Sequence, residues 1–230
     1  MCGTAACPGL PWARLWLLLP VNDENTTFFA HLCFHTSMQA DFSVELGAED
    51  DCLELPWASP DGALRYYDLR RQPELLLNIQ EAFENEELGH FLASINSPGS
   101  ILESSKCDVW TTSELNEEEL IYGVECKWAS YIDLIFTQSE PRYSFEQHEE
   151  LARAICGLLK RVPEISSAAE FMIRRCYFTA EPEEKQEGFG ITFYLSGYGE
   201  DEDAARSHWN IGLRLVENAL LQISAGQRKS

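Results

Sequence analysis

Positive charge is what this sequence has least of. Its 230 residues carry 17 Lys and Arg against 38 Asp and Glu, a formal net charge of −21. Nucleic acid and anionic lipid are held mainly by Lys and Arg meeting phosphate, so this balance argues against both as partners. Long apolar runs are also missing. The most lipid-like stretch, "LWLLLPV" from Leu15 to Val21, is far shorter than the roughly 20 residues that span a bilayer. The eight cysteines, at 2, 7, 33, 52, 107, 126, 156 and 176, form no Cys-x-x-Cys pair, which removes the common zinc and thioredoxin-like spacings. Histidine is sparse, with 5 in all. "HEELAR" opens like a zinc-protease helix, but Ala152 stands where the second histidine is required. Gly-x-Ser-x-Gly is absent as well, because Tyr194 lies two residues before Ser196.

The glycine-rich turn "SGYGEDEDAARSHW" fails as a nucleotide loop for two reasons. It lacks the third glycine of the dinucleotide fingerprint, and no Lys-Ser/Thr comes after it. A helix N-terminus attracts phosphate through its dipole and free N–H groups, yet Glu200, Asp201, Glu202 and Asp203 already fill that place. They read as a cap and a first turn of acids. For calcium the same loop lacks the later Gly and the bidentate Glu. No metal ligand set and no cofactor is expected.

Residues 1–37 differ in character from the remainder of the chain. Pro8, Pro11 and Pro20 interrupt them, no amphipathic period is visible, and Arg14 alone supplies a signal-like positive charge. Strand-like alternation begins directly behind Met38. The expectation is an N-terminal extension over 1–37, a single domain over 38–225, and a short tail over 226–230. Five cysteines lie beyond Met38, an odd number that fits reduced thiols in the cytoplasm better than a disulfide framework. Cys156 and Cys176 fall on apolar elements and read as buried. Cys107 and Cys126 fall on neighbouring strands.

"FSVEL" and "CLELPW" read as a hairpin, "SPDG" (59–62) as a turn and "ALRYYDL" as a third strand. "PELLLNIQEAF" reads as a helix opened by Pro73, and "ELGHFLASI" as a second, stopped by "NSPGS". Then an order recurs: strand, strand, helix over 105–162 and again over 169–223, with a charged loop "EPEEKQEG" inside the second unit. In the first helix Ser144 and Gln147 form a capping-box pattern, and Leu151, Ala154, Ile155, Leu158, Leu159 and Val162 make an apolar stripe. In the second the stripe is Ala205, Trp209, Gly212, Leu213, Val216, Ala219, Leu220 and Ile223. Leu215 and Leu221 lie beside it and suggest burial on two sides. The fold class is therefore α+β: a mainly antiparallel sheet with helices on one face, in which two strand-strand-helix units match in pattern with few identities, so that the order alone leaves open whether they are related.

"YIDLIFT" and "GITFYLSG" are nearly continuous apolar runs, so Asp133 is the one acid in a costly place. Arg174 and Arg175, breaking "EFMIRRCYFT", are its candidate partners in a buried charge pair. His148 and His208 fall near the two helix starts. Trp110 and Trp128, beside polar residues, together with Glu200, Asp201, Glu202 and Asp203, suit an interaction surface for a basic partner. The leading functional expectation is an acidic binding or interaction protein that docks on or blocks a basic protein. The alternative is an enzyme or small-molecule binder whose site gathers Asp133, Arg174, Arg175 and His148 from distant places.

Overall fold

The computed structural model describes residues 38–47, 52–115, 124–180 and 184–227. Strands form where apolar runs are longest. β3 (Leu102–Thr112), β4 (Cys126–Phe136), β5 (Ser167–Ala180) and β6 (Glu184–Gly199) pair antiparallel in the spatial order β5-β6-β4-β3. Two short strands, β1 (Gln39–Glu45) and β2 (Leu53–Leu55), complete the sheet. The fold is α+β and the sheet mostly antiparallel.

The predicted hairpin at the start is not formed. β1 and β2 instead run parallel to β5, end to end along its outer edge, at residues 168–174 and 176–178. β5 is 14 residues long, so its edge satisfies both short strands without a chain reversal between them. The predicted third strand, "ALRYYDL", is not one either. A single Ala58–Arg65 bridge closes the turn around Gly62, whose φ is 70°. Beyond it the backbone of Tyr66 and Tyr67 joins no ladder, and the two rings pack into different apolar clusters. Of the charged "EPEEKQEG" segment, expected to be a loop between two strands, 181–183 lie outside the described residues; from Glu184, which pairs with Ala180, it is already strand β6.

Helices cover one face. The predicted helix at Pro73 divides into a 3-10 turn (Pro73–Asn78) and α1 (Gln80–Glu84), broken by extended backbone at Ile79. Next come α2 (Glu86–Ile95), the single turn α3 (Ser139–Arg142), α4 (Phe145–Leu159) and α5 (Glu202–Gln227). α5 lies against β6, β4 and β5, with α2 on one flank and α4 on the other. That explains its wide apolar surface, although Leu221 remains 41% exposed. α4 ends at Leu159, before Val162. Its buried stripe is His148, Leu151, Ala152, Ile155, Cys156 and Leu159, so Ala154 faces out and Ala152 and Cys156 face in. Only half the capping box forms. The Gln147 N–H donates to Ser144 Oγ (3.3 Å), while the Ser144 hydroxyl donates to Glu146 (3.0 Å).

The core lies between helices and sheet. Phe171 and Phe193 stack at 5.0 Å, with Phe91, Ile132, Leu134 and Trp209 around them. The Trp209 indole N–H donates to Ser130 Oγ (2.9 Å). The two glycines of "GYG" serve this packing. A Cβ at Gly197 would clash with the Ala205 carbonyl, and one at Gly199 with the Ala205 nitrogen. Asp201 caps the helix that presses there, accepting the Ala204 N–H at 2.8 Å. Among the described residues no helix is long and apolar enough to cross a membrane, and none of Cys52, Cys107, Cys126, Cys156 and Cys176 is in a disulfide.

Candidate functional site

Side chains alternate across a strand, so burying Ile132, Leu134, Ile191, Phe193, Phe171 and Ile173 under the helices turns their neighbours to the other face. There a small apolar cluster, Leu55, Ile135, Cys176 and Phe178 with Trp57, Tyr66 and Tyr143, covers one end of the sheet. The rest of that face carries charged, polar and aromatic side chains.

Beside that cluster lies a pocket of about 270 Å³, lined by Cys52, Lys106, Asp133, Arg174, Gly190 and Thr192 among others. Lys106, Asp133 and Thr192 are register partners on β3, β4 and β6. Arg174 on β5 pairs with Gly190. Four adjacent strands thus deliver two cations, a carboxylate and a hydroxyl to one place.

Thr192 Oγ1 donates to Asp133 Oδ1 at 2.6 Å. Burial pushes the Asp133 carboxyl above the usual range, opposed by that hydrogen bond and by the charges of Lys106 and Arg174. Lys106 sits directly across the strand pair from Asp133, yet no carboxylate among the described residues lies within salt-bridge distance of its ammonium. The ammonium stands over the rings of Trp57 (5.4 Å) and Tyr131 (5.6 Å). Trp57 is anchored by its indole N–H, which donates to the Ser105 carbonyl at 2.6 Å. Glu45 Oε2 takes Nη2 (2.9 Å) and Nε (3.3 Å) of Arg174, leaving Nη1 with no partner among the described residues.

The floor is open because Gly190 has no side chain; a Cβ there would lie 2.7 Å from Cys176 Sγ. Neither thiol of the pocket is primed for nucleophilic attack. Burial pushes Cys176 up to about 12 and also raises Cys52, whose Sγ donates to the Arg175 carbonyl at 3.0 Å. Next to the pocket, three rings cross three strands: Trp110 to Tyr131 at 6.4 Å and Tyr131 to Tyr194 at 6.3 Å. Trp110 is 39% exposed.

The alternative site predicted from sequence is therefore divided. Asp133 and Arg174 meet in the pocket, although Arg174 is ion-paired with Glu45 rather than with Asp133. Arg175, one residue on, leaves by the other face and donates to the Gly47 carbonyl. His148 is buried on the helix side, edge-on to Phe136 at 4.8 Å, with Nδ1 2.8 Å from the Ser144 carbonyl. Burial lowers its pKa and keeps it neutral. His208 likewise places Nδ1 against a backbone carbonyl, that of Tyr198 (2.7 Å).

The predicted interaction residues are spread as well. Trp110 lies on the open face. Trp128 lies on the covered face, beside Trp209 (6.5 Å) and under the Arg206 guanidinium (5.0 Å). Glu200, Asp201, Glu202 and Asp203 are exposed at the end of β6 and the start of α5. Sequence reasoning missed Lys106, Thr192, Gly190 and Trp57. Lys106 and Thr192 each carried a faint signal, a polar residue inside a strand, but only strand register shows that they flank Asp133.

No protein-family model, curated protein or solved structure matches the chain.

Proposed function

We propose that the protein binds a small polar molecule in the open-face pocket. One observation carries this reading: Lys106, Asp133, Thr192 and Arg174 come from four adjacent strands to line a single pocket of about 270 Å³. The charges there are held in place with bonding capacity unspent. Concave sites with a few convergent polar groups and a perturbed carboxylate are where ligands bind. The size is at the low end for such sites, which fits a compact ligand. Reduced thiols fit a cytoplasmic setting.

A thermal-shift screen of compact charged and zwitterionic compounds on the full chain tests this. A binder should raise the melting temperature of the native protein and leave Asp133→Asn and Lys106→Met unshifted. Equal shifts in all three proteins would end the proposal.

A second reading, an acidic protein that docks on or blocks a basic partner, draws on the net charge of −21 and on the exposed Trp110 indole. Glu200, Glu202 and Asp203 lie exposed at the same end of the sheet. Such a complex would weaken steeply between low and high salt; a salt-independent complex would count against it.

A further inference from the structure

The pocket contains both signs of charge, and they are kept apart. Lys106 and Asp133 face each other across β3 and β4, where directly opposed side chains have Cβ atoms only about 5 Å apart. An ion pair is within reach of so flexible a lysine. Instead the Trp57 and Tyr131 rings hold its ammonium, 5.4 and 5.6 Å from their centroids. Among the described residues nothing takes the three Lys106 N–H donors, which remain for a ligand. So does Asp133 Oδ2, since Thr192 occupies Oδ1, and so does Nη1 of Arg174, since Glu45 takes the other two nitrogens.

These unspent groups constrain the ligand. A simple anion would meet the cations but lie against Asp133. A simple cation would meet Asp133 but lie against Lys106 and Arg174. Leaving any one of these charges unpaired on desolvation is costly. A ligand carrying a carboxylate and an ammonium a few bonds apart satisfies all three. Size limits it further: about 270 Å³ is just below the range usual for drug-sized ligands, which fits a ligand as compact as an amino acid. The wall beyond is aromatic, since Tyr131 continues to Tyr194 on one side and to Trp110 on the other, and such rings prefer tilted or offset ring partners.

We propose that the ligand is a free α-amino acid with an aromatic side chain. Lys106 and Arg174 hold its carboxylate, Asp133 holds its ammonium, and the Tyr131–Tyr194–Trp110 row receives its side chain. The inference rests on the pocket reading above and specifies its ligand.

Calorimetric titration of the full chain with L-phenylalanine, N-acetyl-L-phenylalanine and L-phenylalaninamide tests it. The free amino acid should bind, and each blocked form should bind at least about tenfold more weakly, the scale of one lost charge-assisted hydrogen bond. Asp133→Asn, which loses the partner of the ammonium, and Lys106→Met, which loses a partner of the carboxylate, should each lose measurable binding of phenylalanine. A blocked form that binds the native chain as tightly as phenylalanine overturns the proposal, and that comparison needs no variant to fold. Suppose phenylalanine fails while some other screened compound shifts the native protein and not Asp133→Asn. The amino-acid inference then falls and the pocket reading stands. If no compound distinguishes the native chain from Asp133→Asn, both fall.

Discussion

The two faces of this sheet are made by the same strands and do opposite work. On β6, Phe193 is fully buried against Phe171 and Phe91, while its neighbours Thr192 and Tyr194 look away from the helices. On β4, Ile132 and Leu134 are buried under α5, while Asp133 between them enters the pocket. One face is close-packed, apolar and closed by three helices. The other carries charges and rings whose bonding capacity is only partly used. Stability is concentrated on the first face, and groups held at a stability cost on the second, an arrangement common where a surface is kept for a ligand.

The largest expected contrast lies one residue apart. Phe193→Ala should lower unfolding free energy in urea by about 3–5 kcal/mol, the cost of an aromatic cavity in a core. Tyr194→Ala should lower it by no more than about 1 kcal/mol, as for partly exposed positions. Equal losses would mean that the open face is as much a core as the covered one. The next contrast is between two glycines of the same strand. A methyl at Gly197 drives into the α5 backbone, so Gly197→Ala should cost about 1–3 kcal/mol by overpacking. At Gly190 the nearest atom to a new methyl is the Cys176 sulfur. Gly190→Ala should cost less, and should instead remove the thermal shift given by a pocket ligand.

How much of this was legible depends on whether the signal is local. Helix stripes are local: Trp209, Leu213, Val216 and Leu220 repeat with a 3.6-residue period, and all are buried as that period predicts. Asp133 was legible because a lone acid in an apolar strand stands out. The pairing of β1 and β2 was not, because it depends on a free edge of β5 more than 100 residues later, with no hairpin turn to announce it. The pocket lay beyond reach for the same reason. Lys106 and Thr192 flank Asp133 only once the β3-β4-β6 register is set, including the shift between Ser104 and Lys106. The "GYG" signal was visible but ambiguous, since glycines that cradle a phosphate and glycines that admit a helix look alike in sequence.

Smaller effects should separate the faces by pH. His148 is buried on the covered side, and burial depresses its pKa. Above its ordinary value of about 6.5 both the folded and unfolded states hold it neutral, and it exerts no pH effect. As pH falls below that value, the unfolded chain takes up a proton that the folded chain refuses, so stability declines until the folded pKa is reached. A His148→Phe variant should lack this part of the decline between pH 8 and pH 5 in denaturant melts. Parallel curves for the two proteins would show that His148 is not held neutral by the fold.

Asp133 should behave in the opposite sense. Burial raises its pKa, so the folded state binds its proton more readily than the unfolded chain does. Its contribution to stability is fully present below the ordinary carboxylate value of about 4 and is lost as pH rises through the raised folded value. At neutral pH the buried carboxyl is therefore a burden on the fold. Asparagine keeps an oxygen for the Thr192 hydroxyl and carries no charge. Asp133→Asn should accordingly melt at a higher temperature than the native protein at pH 7, with an advantage that shrinks as pH falls toward 4. The same substitution should remove ligand binding. A variant that is more stable and does not bind is what a carboxylate retained for a ligand predicts. A variant less stable at pH 7 would show that Lys106 and Arg174 already outweigh the burial of Asp133, and that the open face holds its charge for the fold rather than for a ligand.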